Sequence, residues 1–408
     1  MNSALDSMPD LASNAEALDP YPTYNRLRES DPAHWNTHLG TWVLSRYDDV
    51  RAAFRDPNLS SDRVTPVLRR RKQRDGEAGR AVVDEILSRW IVFTDPPAHA
   101  RLRKLVEYAF RPRAVARMES IVQTFTDELV TDLRGAERFD FIGKFANPLP
   151  VRVIAGMLNV PREHHDEIAQ WSEEIVMLLF GAVTVGDRAE RAAKGLESFA
   201  ELVRKLIGER RLHPGEDLIS DLIAAEERGD ALSEHEIVAT CVLLLFAGHE
   251  TTRNLLANGI KLFLEHRDQW DKLKAHPDLA ESAVEEILRY EGPIKAMWRL
   301  ASDATTYQGK TIGVGQRVLL LQSAANRDPR RFADPESFDI ERSPNRHVAF
   351  GYSIHYCLGA AIARLEGTLG LRAIAENFPD LSLDADALEY HPFVISRSLR
   401  ALPLRRDR

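Results

Sequence analysis

Arg346-His-Val-Ala-Phe-Gly-Tyr-Ser-Ile-His-Tyr-Cys-Leu-Gly-Ala-Ala-Ile-Ala-Arg-Leu-Glu366 is the most informative segment of this chain. A loop of small and aromatic residues brings Cys357 to the start of a helical pattern over Leu358 to Asn377. A sulfur there meets free backbone N–H groups and the positive end of a helix dipole, both of which favour the thiolate. Such a thiolate suits a metal, and N–H bonds to it set how much electron density it donates. The plainer alternative is a free cysteine serving as a small apolar side chain. Cys241, within Ala239-Thr-Cys-Val-Leu-Leu-Leu245, fits that alternative far better.

Outside this segment the chain has the composition of an ordinary globular protein: 408 residues, 44% apolar and 28% charged. A net charge of −8 argues against nonspecific nucleic-acid binding, which needs a dominant cationic surface. Two cysteines in such different contexts make no disulfide framework, which points to a reducing cytoplasm. Met1 to Asp10 lacks the basic start and apolar run of an export signal, and the longest strongly apolar run, Val242 to Ala247, is far short of the roughly 20 residues of a membrane span.

No linker or repeat divides the sequence, so a single α-rich domain over 1–408 is expected, with 1–16 a loosely ordered tail. Helical patterns cover Ala98 to Tyr108, Arg113 to Leu133, His164 to Phe180, Arg188 to Arg211, Ser233 to His266 and Leu279 to Tyr290. Trp42 to Tyr47 and Gly309 to Leu321 have strand character, and Pro392 to Leu404 suggests a hairpin. Ser233-Glu-His-Glu236 is a capping box, and nothing stops the helix after it for about thirty residues, or roughly 45 to 50 Å. Midway, Phe246-Ala-Gly-His-Glu-Thr-Thr252 interrupts an apolar face with polar and small residues. A mid-helix glycine costs about 1 kcal/mol against alanine, and a buried carboxylate costs more unless bonded, so the interruption implies a use.

Phe350-Gly351, His355, Cys357 and Gly359 resemble the haem-binding loop of the cytochromes P450, the haem-thiolate monooxygenases. Glu286-Ile-Leu-Arg289 resembles the family's Glu-X-X-Arg pair, and Ala247-Gly-His-Glu-Thr-Thr252 its oxygen-activation motif. Asn326-Arg-Asp-Pro329 with Phe332, Pro335 and Phe338 resembles the meander, and His99-Ala-Arg-Leu-Arg103 the helix that holds the haem propionates. Order and spacing agree from about residue 17 to the C-terminus. The loop departs from the pattern at Ser353, where the family usually carries glycine, so strain or a shifted loop is expected there.

The resemblance implies a mainly α fold with small β-sheets, a long central helix over a buried haem b, and Cys357 as axial iron ligand. It implies His99, Arg103, Arg299 and His355 as propionate partners, and His347 as a fifth such contact or, more simply, a hydrogen bond that organises the loop. Glu250 and Thr251 take the places of an acid and an alcohol that deliver protons to iron-bound oxygen, with Thr252 adjacent. Glu286 and Arg289 are structural by the same likeness. The pocket walls it implies are the loop between Asp62 and Phe93, Leu243, Leu244, Ala247, Ile294, Lys295, Met297, Phe393 and Val394. Arg69 to Lys72 and Lys295 leave an anionic substrate conceivable, although a solvated basic face is the blander reading.

Arg101, Lys104, Arg111, Arg113, Arg117 and Arg364 would surround the proximal haem face and suit an acidic ferredoxin. No Gly-X-Gly-X-X-Gly follows a strand, so electrons are expected from a separate ferredoxin and its reductase. The expected activity is insertion of one oxygen atom from O2 into a small, largely apolar molecule, most simply as hydroxylation. A peroxide-driven enzyme of the same fold, a non-catalytic haem sensor and a cofactor-free cysteine nucleophile stand as alternatives.

Overall fold

Ser233 accepts from the Glu236 N–H and the Glu236 carboxylate accepts from the Ser233 N–H, so the capping box closes as expected. In the computed structural model, which describes residues 10–66, 68, 81–107, 110, 112–179, 188–227 and 233–407, this box opens a helix of 32 residues, Glu234–Glu265. It runs through the main apolar core, where Cys241 is fully buried. Around it stand Ala98–Glu107, Pro112–Leu133, Pro148–Met157, His165–Leu179, Arg188–Leu212, Ala280–Glu291 and Ala360–Asn377. The fold is mainly α with small sheets.

The central helix packs closely on two of these neighbours. A Cβ on Gly259 would meet Ile287 Cδ1 at 2.8 Å, and one on Gly370 would meet Leu256 Cδ2 at 2.9 Å. Larger residues there would push the helices apart and open gaps in a close-packed interior.

The strands are β1 (Ala33–Asn36), β2 (Thr41–Leu44), β3 (Leu59–Ser60), β4 (Arg138–Asp140), β5 (Met297–Ala301), β6 (Thr305–Tyr307), β7 (Lys310–Ile312), β8 (Arg317–Leu320), β9 (Leu381–Leu383) and β10 (Pro403–Arg406). The largest sheet has the order β1-β2-β8-β5-β3, with β2 and β8 parallel. It places Arg299 on β5, opposite Val318 of β8.

Two expectations change. The C-terminal hairpin is reduced to an isolated bridge between Tyr390 and Leu399, and β10 pairs instead with β4 and β9. The expected tail is also shorter: Asn14–Leu18 is helical, Ser13 caps it, and Leu11 and Ala17 are buried. Arg397, which reaches the Ala17 and Leu18 carbonyls, ties this turn to the distant C-terminal segment. No helix among the described residues is long and apolar enough to cross a membrane.

Glu286 and Arg289 are fully buried and paired through two bonds of 2.8 Å. Arg289 also donates to the carbonyls of Asn326, Pro335 and Ser337, while Glu286 accepts from Asp339 N–H, Arg342 and Asn345. Desolvating two charges is tolerable only when their bonding capacity is filled like this. The knot fastens the meander to the helix beneath it, and Asn326 Oδ1 in turn accepts from Val348 N–H at 2.8 Å, at the entrance to the cysteine loop.

Candidate functional site

Cys357 lies just before the helix Ala360–Asn377, whose N-cap is Gly359, so it is outside the first turn rather than within it. Its N–H donates to Phe350 O at 2.9 Å, closing the loop. Gly351 and Ser353 both take left-handed backbone, with φ of 73° and 64°. Burial pushes the Cys357 thiol up, against the Gly359 N–H bonded to it and the fields of Arg103 and Arg364. The helix-start argument therefore understates desolvation; a bound metal would displace the thiol proton. His347 organises the loop as expected, through Glu285 at 3.2 Å, which also takes Arg364 at 2.6 and 3.0 Å.

The rings of His99 and His355 lie tilted against each other, 4.3 Å between centroids. His99 is 2% exposed and Arg299 3%. Burial, then the positive fields of Arg299 and His99, push His355 down to about 3; burial and Arg103 lower His99. Arg299 falls to about 10 through burial. Arg103 adds to this field while bonded to Glu107 at 2.5 Å and to Tyr356 O at 2.7 Å.

Arg63 joins the cluster and belongs to no motif quoted above. Burial and Arg299 push it down to about 9, and among the described residues neither arginine has a carboxylate within ion-pair distance. Ser61 Oγ lies 2.9 Å from His355 Nε2. A concentration of enclosed cations, on which Asp95 acts only from beyond ion-pair distance of Arg299, fits the carboxylates of a haem, as the enclosed thiol fits its iron. Arg63 and Arg299 share the acceptor Trp298 O, and no spacing rule in the sequence points to that pairing.

From residue 241 to residue 252 the central helix is buried except along one stripe. Leu244, Ala247, Gly248 and Thr251 keep accessible surface, at i, i+3, i+4 and i+7, while their neighbours on other faces are buried. Thr251 Oγ1 donates to Ala247 O at 2.8 Å. Thr252 is 2% exposed and off the stripe, as is Leu243, which belongs to the apolar core rather than the wall.

Glu250 is also off the stripe and 5% exposed. Its carboxylate accepts from Arg253 at 3.0 and 3.2 Å, Asn254 at 2.9 Å and Ser398 at 3.1 Å. His249, pushed down to about 3 by burial and then Arg253, bonds Asn147 at 2.6 Å through Nε2. These bonds explain how polar residues persist mid-helix.

The remaining expected wall divides. The bridge between Ile294 and Ser396, and bonds from the Lys295 and Ala296 N–H groups to Ile395 O, bring Ile294 beside the segment Phe393–Ile395. Phe393 joins the main core, Val394 packs with the N-terminal helices, and Met297 is half-buried on the sheet side. Lys295 is 2% exposed, pushed down to about 7 by burial and then Arg397, with Glu16 opposing. Enclosure thus disfavours its ammonium, and the opposite charge acting on it is Glu16 of the N-terminal helix. Arg69 to Lys72 lie outside the described residues.

The expected basic face is partly neutralised. Arg101 pairs with Glu236, Arg364 with Glu285, and Arg117 lies 3.9 Å from Asp221. Arg111 lies outside the described residues. Beside the cysteine loop, Ile354 and Tyr356 are exposed, and Arg51 and Arg55 bond the Tyr352 hydroxyl at 2.7 and 2.5 Å.

A sequence model of the cytochrome P450 family matches residues 34–387. The cytochrome P450 monooxygenase PikC of Streptomyces venezuelae is 38% identical over 401 residues, covering 95% of this chain and 91% of that protein. The 6-deoxyerythronolide B hydroxylase of Saccharopolyspora erythraea is 35% identical over 413 residues, covering 99% of this chain and 100% of that protein. The crystal structure of CalO2 has a TM-score of 0.91 at 33% identity, over 98% of this chain and 99% of that one. These relatives match nearly the whole length of the chain, and their family implies the haem-thiolate cofactor for which the thiol and the cation cluster are suited. The chain belongs to the cytochrome P450 family and is a cytochrome P450 monooxygenase.

Proposed function

We propose that this monooxygenase binds haem b through Cys357 and hydroxylates a small, largely apolar molecule with O2, using electrons from a separate ferredoxin and its reductase. The carrying observation is the accessible stripe Leu244, Ala247, Gly248 and Thr251 in an otherwise buried stretch of the central helix: three apolar or absent side chains beside one hydroxyl. The name of the hydroxylase from Saccharopolyspora erythraea says that it hydroxylates 6-deoxyerythronolide B, and by likeness it supports hydroxylation of an organic molecule here.

Bound haem supplies oxygen activation and insertion into a C–H bond. The chain supplies the protons and the order. Thr251 spends its own hydroxyl proton on Ala247 O, so its lone pairs face outward to accept from a water and orient it. Glu250 is held by Arg253, Asn254 and Ser398; release of one of these bonds frees the carboxylate to relay a proton from the C-terminal segment towards Thr251. His99, Arg103, Arg299 and His355 would hold the propionates, with Ile294 and Met297 near the substrate.

The ferredoxin docks, in this proposal, on exposed Ile354 and Tyr356, with Arg51, Arg55, Arg103 and Lys104 around them. Its reduction rate then falls as salt rises.

The ferrous protein under carbon monoxide is expected to show the long-wavelength band of a thiolate-ligated haem, and Cys357→Ala to lose it. Survival of the band in that variant overturns the ligand assignment. Turnover with peroxide but none with ferredoxin, reductase and O2 would instead make the protein a peroxide-driven enzyme; haem binding without substrate-dependent oxygen use would make it a sensor.

A further inference from the structure

The segment Ser60–Arg63 is tied down on one side and aimed at the cation cluster on the other. Asp95 accepts from the Ser60 hydroxyl and, at 2.9 Å, from the Ser61 N–H. Asp62 N–H donates to Ser60 Oγ, and Asp62 Oδ1 accepts from Thr65 N–H, each at 2.9 Å. Thus fixed, the segment offers Ser61 to His355 and carries Arg63 over the ring of Phe93, 4.6 Å from its centroid. Phe93 stacks on Trp90 at 5.8 Å, and Trp90 on Phe246 at 5.4 Å, next to Ala247. The guanidinium therefore rests on an aromatic column that stands on the central helix.

Arg63 and Arg299 converge on one neutral acceptor, Trp298 O, at 3.2 and 2.9 Å. Two like charges enclosed together repel and lose hydration, an arrangement that persists only where an anion answers it. A haem brings two carboxylates. His355 Nε2 lies 2.9 Å from Ser61 Oγ and the His99 ring lies against that of His355, so the permanent charge here comes from the guanidinium groups. Arg103 is engaged by Glu107 and Tyr356. Arg103 also borders this site but shares its charge with Glu107 at 2.5 Å, so a second guanidinium beside Arg299 completes the match to two propionates.

We infer that Arg63 is that second cation, a propionate-binding residue that works with Arg299 and is positioned by the Asp95-tethered segment and the Phe93 ring. The inference rests on the haem reading above.

The test measures the rate of haem loss from the purified holoenzyme to an excess of haem-free globin, for wild type, Arg63→Gln and Arg63→Lys. Each is also reconstituted with haem dimethyl ester, whose propionates are neutral. Loss of one charge-assisted bond should speed haem loss from Arg63→Gln by about tenfold to a hundredfold, with Arg63→Lys between. With the diester, wild type and variants should release at equal rates. An unchanged rate in Arg63→Gln overturns the inference, and so does equal acceleration for haem and diester, which would mean that Arg63 merely packs. A wild-type protein that takes up no haem overturns the haem reading itself and this inference with it.

Discussion

Ser353 holds φ at 64° in the loop that carries Cys357, a left-handed conformation that costs a side-chain-bearing residue about 1–2 kcal/mol. The sequence singled out this position because the family usually has glycine there. Ser353→Gly should therefore stabilise the protein by roughly 0.5–1 kcal/mol, the strain relief less the extra freedom glycine gives the unfolded chain. Thermal unfolding of the holoenzyme reads this as a rise in Tm, and a fall would show that the hydroxyl earns its strain through a contact. Thr251 poses the opposite case, since its bond to Ala247 O is a stability term any helix threonine could make. Its chemical role shows only in turnover. Thr251→Ala should keep haem but cut product by roughly tenfold or more while reductant consumption continues and peroxide accumulates; unchanged coupling of electrons to product removes Thr251 from proton delivery. Arg63 was invisible at this scale in the sequence, because its partners Phe93, Trp298 and Arg299 come from distant segments that only the fold assembles.

Elements were legible where local rules are strong. The capping box at Ser233 and the long periodic patterns placed the central helix and the helix after Cys357 close to their observed bounds. Strands as short as Leu59–Ser60 carry too few residues for a period of two to register, and β10 found partners at β4 and β9 that no hairpin signal could name. The interrupted face of the central helix was legible as a need but not as a solution. Asn147, Ser398 and the carbonyls met by Asn258 lie far away in sequence. The helix Ala280–Glu291 is the strongest case of an element held by ions. Arg289→Lys keeps the charge but loses the fork that meets Glu286 and three carbonyls, leaving buried acceptors unmet. That variant should lose about 3–5 kcal/mol and much of its haem, seen as a weakened carbon monoxide band and a lower urea midpoint. Wild-type stability in Arg289→Lys would mean that the meander is fastened elsewhere.

Across the whole molecule, the net charge of −8 says little about where charge acts, because much of it is internal and paired. Glu291 shows this: burial would raise it, but Lys261 at 3.0 Å and Arg397 at 2.8 Å hold it at about 2. A carboxylate depressed below its usual 4.5 stabilises the fold above that pH and loses its contribution as pH falls towards 2. His249 brings the onset of acid sensitivity closer to neutrality. Its folded value of about 3 lies below the ordinary 6.5, so the unfolded chain binds a proton that the native one refuses. Stability from this residue is complete above 6.5 and declines as pH falls from there towards 3. Glutamine can keep a donor for Asn147 Oδ1 without titrating, so His249→Gln isolates the effect from His355 and the carboxylates. Between about pH 7 and about pH 5.5, wild type should lose roughly 1 kcal/mol more unfolding free energy than His249→Gln, as urea titrations of the two holoenzymes would measure. Parallel pH profiles would mean that His249 gains its proton in the folded protein as readily as in the unfolded chain. Arg253 and the surrounding helices would then fail to keep the middle of the central helix closed to water.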